Sequence, residues 1–485
     1  MRFFILALAL LSFPVKAQDI TIGSKSFTEN VILGDIAAGL AQDSGATVTH
    51  RKELGGSRIL WEALLSGEID AYPDYSGTLF QEILEAEGVS SLEELRPALA
   101  RYGVEMTDPL GFNNSYAMGL LRGRAEELGL EKVSDLNAHP ELALGFSNEF
   151  MDRGDGWPAL RQSYGLVHEN VRGVDHDLGY RALQSGSIDV KDLYTTDAEI
   201  AAFDLVALQD DRGHFPRYDA LFLYRADLKD RAPDFVEALN GLSGRITAPK
   251  MIAMNKAARI DRLSEAEVAQ GFLKQEGISI TITQETLWDR LLARTLEHLG
   301  LVALSLGLAI IIAVPLGIMA YKKPRTGTVI LGLAGLMQTI PALALFVVLI
   351  PLLGIGAAPT IAALFLYSIL PIIRNSHAGL NTIPQGLLDS ADAMGLPATA
   401  RIRHVELPLA LPTILAGVKT AAVINVGLAT LGAIIGAGGY GQPILTGIRL
   451  NDTGLILEGA VPAALLAIGV ERLLHGLEIL VRPKA

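Results

Sequence analysis

One stretch decides the fold because it occurs twice. Ala63-Leu64-Leu65-Ser66-Gly67-Glu68-Ile69-Asp70 returns 119 residues later as Ala182-Leu183-Gln184-Ser185-Gly186-Ser187-Ile188-Asp189, with six of eight positions identical. Each copy reads as a helix end, a glycine able to close it in the left-handed conformation, and the apolar start of a strand. Five residues beyond each aspartate stands a tyrosine, Tyr75 and Tyr194. Two such units imply two similar lobes. Ligands of open α/β sheets bind outside the carboxyl ends of strands, so the repeat predicts that Tyr75 and Tyr194 face one cleft.

The surroundings of the repeat agree. Asp19–Lys25 and Thr47–His50 read as short strands. Glu29–Ala41 has helical periodicity, with Val31, Ile32, Ile36 and Leu40 on one face, and Ser57–Ser66 is a second helix stopped by Gly67. Strands alternating with helices over residues 19–280 predict a mostly parallel sheet.

The rest of the chain is different. Its 485 residues are 50% hydrophobic and 19% charged, with a net charge of -13. A soluble domain carries about 25% charged residues. From Arg290 onward there are 13 Lys+Arg and 8 Asp+Glu, or +5; the totals of 40 and 53 then leave 27 and 45, or -18, before it. An acidic soluble half precedes a basic apolar half. The absence of cysteine excludes a disulfide scaffold, a Cys-ligated metal site and a cysteine nucleophile. Histidines are scattered without a His-x3-His pair, and no nucleophile–base set stands out, so neither a resident metal nor an enzyme is expected.

The chain starts with Met1-Arg2, an apolar run Phe3–Leu11, a break at Ser12-Phe13-Pro14 and a small residue, Ala17. This is the layout of a secretory signal peptide. The expected division is a signal peptide (1–17), a two-lobed binding domain (18–280), a linker (281–290) and a membrane domain (291–485).

Five apolar runs are long enough to span: Leu299–Ala320, Val329–Gly354 with Pro341 inside it, Ala357–Ile373, Leu411–Gly436 and Leu455–Leu474. The bases Lys322, Lys323, Arg325, Arg374, Arg401, Arg403, Arg472, Arg482 and Lys484 fall at alternate ends. Arg449 is the sole base in the intervening loops 355–357 and 437–454. The positive-inside rule then predicts an outside start and an inside end. Export of residues 18–280 by the signal peptide agrees. Lys419, inside the fourth run, is expected to snorkel to the interface.

The loop before the fourth run carries Asp389-Ser390-Ala391-Asp392-Ala393-Met394-Gly395, then nine residues, then Val405-Glu406-Leu407-Pro408. This resembles the cytoplasmic motif of ABC-importer permeases: Glu-Ala-Ala, three residues, Gly, nine residues, Ile, one residue, Leu-Pro. The resemblance implies that Asp389, Ala391, Gly395, Val405, Leu407 and Pro408 belong to a helix that docks on an ATPase subunit. The chain has no Gly-Lys dipeptide, hence no phosphate-cradling loop of its own. ATP is expected to be bound by the partner and no cofactor by this chain. The family also implies a homodimer of the membrane domain.

Ordered segments of the acidic half resemble binding proteins for glycine betaine, choline and related quaternary amines. They are Gly23–Asn30, Asp74–Thr78, Gly111–Tyr116, Glu149–Trp157, Tyr194–Asp197 and Phe215–Tyr218. The resemblance implies a cage of Tyr75, Tyr116, Tyr194 and Tyr218, with Arg153 clamping a ligand carboxylate and Asn113, Thr78 and Asp197 as polar contacts. A trimethylammonium has no N–H to donate, so aromatic faces select it by cation–π attraction. The expected protein is the binding and membrane subunit of an ATP-driven importer in a bacterial inner membrane, with its binding domain on the periplasmic side. No nucleic-acid partner is expected. A ligand-gated channel with the same sensor, or an importer of another amine such as ergothioneine, are the alternatives.

Overall fold

Both copies of the repeat fold as helix, glycine turn and strand. The first is the end of the helix Ser57–Ser66, Gly67 at φ +80°, and the strand Ala71–Tyr75; the second is the end of the helix His176–Gln184, Gly186 at φ +69°, and the strand Val190–Tyr194. Their aspartates do the same work. Asp70 Oδ2 accepts the Thr21 N–H at 2.8 Å, and Asp189 Oδ2 accepts the Ala143 N–H at 2.9 Å. Each carboxylate ties the repeat to the neighbouring strand, which explains why the aspartate recurs. This is seen in a computed structural model that describes residues 19–278, 280, 286–450 and 452–481. The expected signal peptide, 1–17, lies outside the described residues, as do residues 281–285 of the expected linker.

The first lobe contains β1 (Asp19–Gly23), β2 (Thr47–Arg51), β3 (Ala71–Tyr75) and β4 (Val104–Met106). The second contains β5 (Tyr116–Leu121), β6 (Leu144–Ser147), β7 (Val171–Val174), β8 (Val190–Tyr194) and β9 (Leu205–Ala207), after which β10 (Ala220–Arg225) returns to the first. The orders are β2-β1-β3-β10-β4 and β7-β6-β8-β5-β9, one topology used twice. As expected, most strands of each sheet run one way, but a single reversed strand in each makes half of the pairings antiparallel. β1 and β6 pair in parallel with their neighbours, whereas β10 runs antiparallel to β3 and β4, and β5 to β8 and β9. The cause is the double crossing between lobes. β5 and β10 are the first strands after each crossing, so they enter their sheets from the cleft end and run away from it.

The helix Thr28–Asp43 has no polar face of ordinary width. Val31, Ile32, Leu33, Ile36 and Leu40 are buried, and so are Ala37 and Ala41. It lies between β1–β3 and the helix Glu265–Gln275, so each large side chain it buries contributes roughly 1.5–3 kcal/mol.

Among the described residues, four helices of the apolar half are long enough to cross a membrane: Leu287–Lys322, Ala357–Asn381, the run Ala398–Ile435 and Thr453–Val481. The first begins inside the expected linker. The expected span 329–354 is two helices, Pro324–Thr339 and Ala342–Leu353, meeting at 97°. Pro341 has no N–H to continue the helix and pushes Ile340 out of helical conformation. The pair still joins opposite ends of the bundle. Lys322 pairs with Glu406 at one end, while the Ile355 N–H meets Glu68 of the first lobe at 2.9 Å at the other. The expected alternation of ends therefore survives the bend. Lys419 does not snorkel alone; it pairs with Glu478 at 3.1 Å, joining two helices. Glycines let the helices approach: a Cβ on Gly317 would lie 2.4 Å from Ser376, and one on Gly417 2.6 Å from Asn375.

Candidate functional site

The double crossing also builds the cleft. Tyr75 and Tyr194 end β3 and β8, while Tyr116 starts β5 and Tyr218 precedes β10 by two residues. Tyr116 pairs directly with Tyr194, and Ala220 with Tyr75. Each lobe thus presents strand ends and strand starts at one edge, and all four expected tyrosines arrive there.

Their rings touch. Tyr116 lies 5.3 Å from Tyr194 and 5.6 Å from Tyr218, both edge-on. Phe27 spans the remaining gap, 6.1 Å from Tyr75 and 5.6 Å from Tyr194. Lys25, Thr78, Asn114 and Arg153 join these five rings around a cavity of about 30 Å³. Burial raises the pKa of Tyr75, Tyr116 and Tyr194, so the phenols stay neutral and offer their faces. Those faces already meet cations of the chain. Lys25 Nζ is 5.5 Å from the Tyr75 ring, and the Arg153 guanidinium is 5.5 Å from Tyr116 and 5.9 Å from Tyr218. A cation is therefore at home here, with about 0.5–2 kcal/mol to gain per face.

The polar residues divide differently from expectation. The Arg153 fork is taken by Asp155, with Nε–Oδ1 at 2.8 Å and Nη2–Oδ2 at 2.9 Å, and its Nη1 reaches Glu82 of the first lobe at 3.0 Å. It closes one lobe on the other rather than standing free for a carboxylate. Asn113 Oδ1 accepts the Tyr218 N–H at 2.6 Å and so positions that ring from behind. Its neighbour Asn114, not Asn113, lines the cavity. Asp197 accepts the Tyr194 N–H at 2.8 Å and contacts His176 at 3.1 Å, which also places it behind a ring. Burial alone would raise the Asp197 pKa, but His176 and Lys191 hold it low. Thr78 does line the cavity.

Four further residues belong to the site. Glu29 is buried and accepts from Tyr75 Oη at 2.7 Å, Asn114 at 2.8 Å, Thr196 at 2.5 Å and Asn255 at 2.9 Å. Its partners come from both lobes, so it is the hub of the closed cleft. Burial pushes its pKa up, against the pull of those hydrogen bonds. Phe27 and Asn114 are the second and third. His176 is the fourth: it stacks on Tyr194 at 4.0 Å with planes 12° apart. Burial and Lys191 lower its pKa, but Asp197 and Asp192 outweigh them and raise it to about 9. Phe27 and Glu29 fall in the Gly23–Asn30 segment, so a sequence signal existed for them.

At the far end of the helical half, Gln385–Ala393 is a short helix that Gly395 closes at φ +70°. Ala391 is fully buried beneath it, while Asp389, Leu387 and Met394 are exposed. Val405 lies in a wide helical turn, Ile402–Glu406, that runs into the helix Leu407–Ala429, where Pro408 sits in the first turn. Proline is tolerated there because that N–H has no helical partner. Glu406 is buried and receives Lys322 at 3.0 Å and Arg401 at 2.8 Å, and Arg401 also holds Asp392 of the short helix at 2.6 Å, which ties that helix to two long ones.

Residues 18–275 match the family described as the substrate binding domain of the ABC-type glycine betaine transport system. Residues 307–477 match the binding-protein-dependent transport system inner membrane component. The chain is similar to the osmoprotectant import permease protein OsmW of Salmonella typhimurium, 46% identical over 195 residues, 39% of this chain and 91% of that protein. It is also similar to the glycine betaine/carnitine/choline transport system permease protein OpuCB of Bacillus subtilis, 40% identical over 200 residues, 41% of this chain and 92% of that one. A crystal structure of a glycine betaine/carnitine/choline ABC transporter has a TM-score of 0.47 and 30% identity, covering 54% of this chain and 99% of that one.

Proposed function

The chain belongs to the family of substrate-binding domains of ABC-type glycine betaine transport systems, joined here to the inner-membrane component of such a system, and on that basis we propose how its residues divide the work. It is the binding and permease subunit of an importer for glycine betaine, choline, carnitine or a similar quaternary amine. The ligand's methylated nitrogen sits among Tyr75, Tyr116, Tyr194 and Tyr218, with Thr78 and Asn114 as polar neighbours. Arg153 and Asp197 hold the cage in shape, and Asn113 seats Tyr218. The observation that carries this reading is the meeting of four tyrosines from both lobes at one edge, three of them in direct ring contact. Closure on a ligand then needs no new chemistry, only a cation beside rings that Lys25 and Arg153 already approach.

Transport needs energy that this chain does not supply. The segment Asp389–Pro408 is its connection to an ATPase subunit, with Leu387, Asp389 and Met394 on the docking face and Ala391, Gly395, Val405 and Leu407 shaping it. The membrane domain pairs with a second copy, so each transporter carries two tethered binding domains, facing the periplasm. ATP is bound by the partner and no cofactor by this chain.

The test is calorimetric titration of the full chain with glycine betaine, choline, carnitine and ergothioneine. Reconstitution with the ATPase follows, with ATP hydrolysis measured against ligand. Tight binding of one of them with ligand-stimulated hydrolysis is expected. A ligand-gated current without any ATPase would overturn the importer reading in favour of a channel.

A further inference from the structure

Among the described residues ten carboxylates are buried, and nine of them hold a basic side chain of the chain itself. The tenth is Glu29, which is 3% exposed. Its four partners, Tyr75, Asn114, Thr196 and Asn255, are neutral donors. Four donors suit the ionised carboxylate, which only accepts. A negative charge is therefore buried at the cleft without a cation beside it, an arrangement that is costly until something balances it.

Cations of the chain stand near, but they are held elsewhere. Lys25 is paired with Asp74 at 2.5 Å, and Arg153 with Asp155 at 2.8 Å and Glu82 at 3.0 Å. His176 lies between Asp192 at 3.5 Å and Asp197 at 3.1 Å. What remains open to Glu29 is the cage on the other side of Tyr75. That tyrosine joins the two. Its hydroxyl donates to Glu29 Oε1 at 2.7 Å, and its ring lines the cage. A hydroxyl that donates to an anion is polarised by it and leaves its ring richer in electrons. A richer face attracts a cation more strongly.

We propose that Glu29 makes the cleft select a permanent positive charge, and that the ligand's quaternary nitrogen supplies the cation that the chain withholds from this carboxylate. The inference rests on the quaternary-amine reading and adds a division of labour to it. The rings select shape, and any group shaped like a trimethylammonium satisfies them. Glu29 selects charge. It acts through Tyr75, as a positioning residue, without touching the ligand.

The test is calorimetric titration of the full chain with choline and with its neutral isostere, the alcohol in which a tert-butyl group replaces the trimethylammonium. Wild type is expected to prefer choline by about tenfold or more. Glu29→Gln is expected to narrow that preference by about fivefold or more, weakening choline and sparing the isostere, a split that a structural brace alone would not give. Glu29→Asp keeps the charge and is expected to keep the preference, even where both ligands weaken. Tyr75→Phe keeps the ring and removes the link. It is expected to narrow the preference by a smaller factor, and it decides the matter if Glu29→Gln does not fold. Where the isostere binds too weakly to titrate, choline decides: a larger loss in Glu29→Gln than in Glu29→Asp supports the inference, and an equal or smaller loss overturns it. A wild type without preference, or a preference that Glu29→Gln leaves unchanged, also overturns it and leaves the proposed ligand class standing. Failure of wild type to bind any quaternary amine overturns both.

Discussion

The two lobes are built alike and used differently. They share a strand order, a glycine turn, an aspartate that ties the repeat to its neighbour strand and a tyrosine at the cleft. Their loops do not match. The first lobe meets the permease through Glu53, Leu54 and Glu68, at Arg449, Gly436 and Ile355. In the second lobe the position equivalent to Glu68 is Ser187, which is exposed. The shared scaffold supplies the paired tyrosines. Direction came from the loops, which anchor one lobe to the membrane half and leave the other to close against it.

The strongest test of the likeness is at the tyrosines. Tyr75→Ala and Tyr194→Ala should each weaken a quaternary amine by at least tenfold in calorimetric titration. A desolvated cation–π contact of about 2 kcal/mol corresponds to roughly 30-fold. Similar losses from both sides are expected of a cage shared between lobes. A ligand held unchanged by both variants would sink the cage.

The aspartates should follow. Asp70→Ala and Asp189→Ala each strand a backbone N–H, at a cost of about 2 kcal/mol. Asp70 also receives Arg231 in a direct hydrogen bond, whereas Arg124 stands 3.6 Å from Asp189, so loss of Asp70 should lower the apparent melting temperature further than that of Asp189. Equal shifts would mean that the Arg231 contact contributes no more than the longer one to Arg124.

These two pairs were legible in the sequence because each is local: helix end, glycine, aspartate and tyrosine lie within thirteen residues. The other cage tyrosines, Tyr116 and Tyr218, came only from resemblance. They start strands that enter from the opposite lobe, and no periodicity records a crossing. His176 lay in none of the resembling segments, while Glu29 and Asn114 lay inside two of them but take their roles from contacts across the crossing. Glu29 bonds Thr196 and Asn255 across long stretches of chain, and nothing near it in sequence announces those partners. In the helical half the positions of the bases forecast which ends lie together, since that signal is compositional. The 97° bend at Pro341 and the pairing of Lys419 with Glu478 depend on packing between distant helices. Arg449 was visible as an exception but not as a contact.

The tyrosines also differ in their backing, which makes the second lobe sensitive to pH. Tyr194 stacks on His176, whose pKa is raised to about 9. The unfolded value is about 6.5. A raised folded pKa gives stability that is complete below pH 6.5 and is lost as pH rises through 9. Near pH 8 the slope should be about 1 kcal/mol per pH unit. His176→Asn should flatten that part of a melting-temperature profile, and an unaltered profile would remove His176 from the account. In the first lobe the group beside Tyr75 is Lys25 rather than a histidine.

The smallest expected effect separates the lobes most cleanly. Glu68 accepts the Ile355 N–H with both oxygens, at 2.9 and 3.1 Å, and also receives Arg51. Gly354 leaves space for it: a Cβ there would lie 2.1 Å from Glu68 Oε1. Glu68 is partly exposed, so the contact contributes less than a buried charge would, about 1 kcal/mol. Glu68→Ala should therefore lower uptake by roughly threefold to fivefold in vesicles, without changing ligand affinity beyond experimental error. Ser187→Ala, at the matching position of the second lobe, should change neither. If Ser187→Ala slowed uptake as Glu68→Ala does, both lobes would bear on the permease and the anchored-lobe account would fail. If Glu68→Ala altered binding instead of uptake, the contact would act on the cleft rather than on seating.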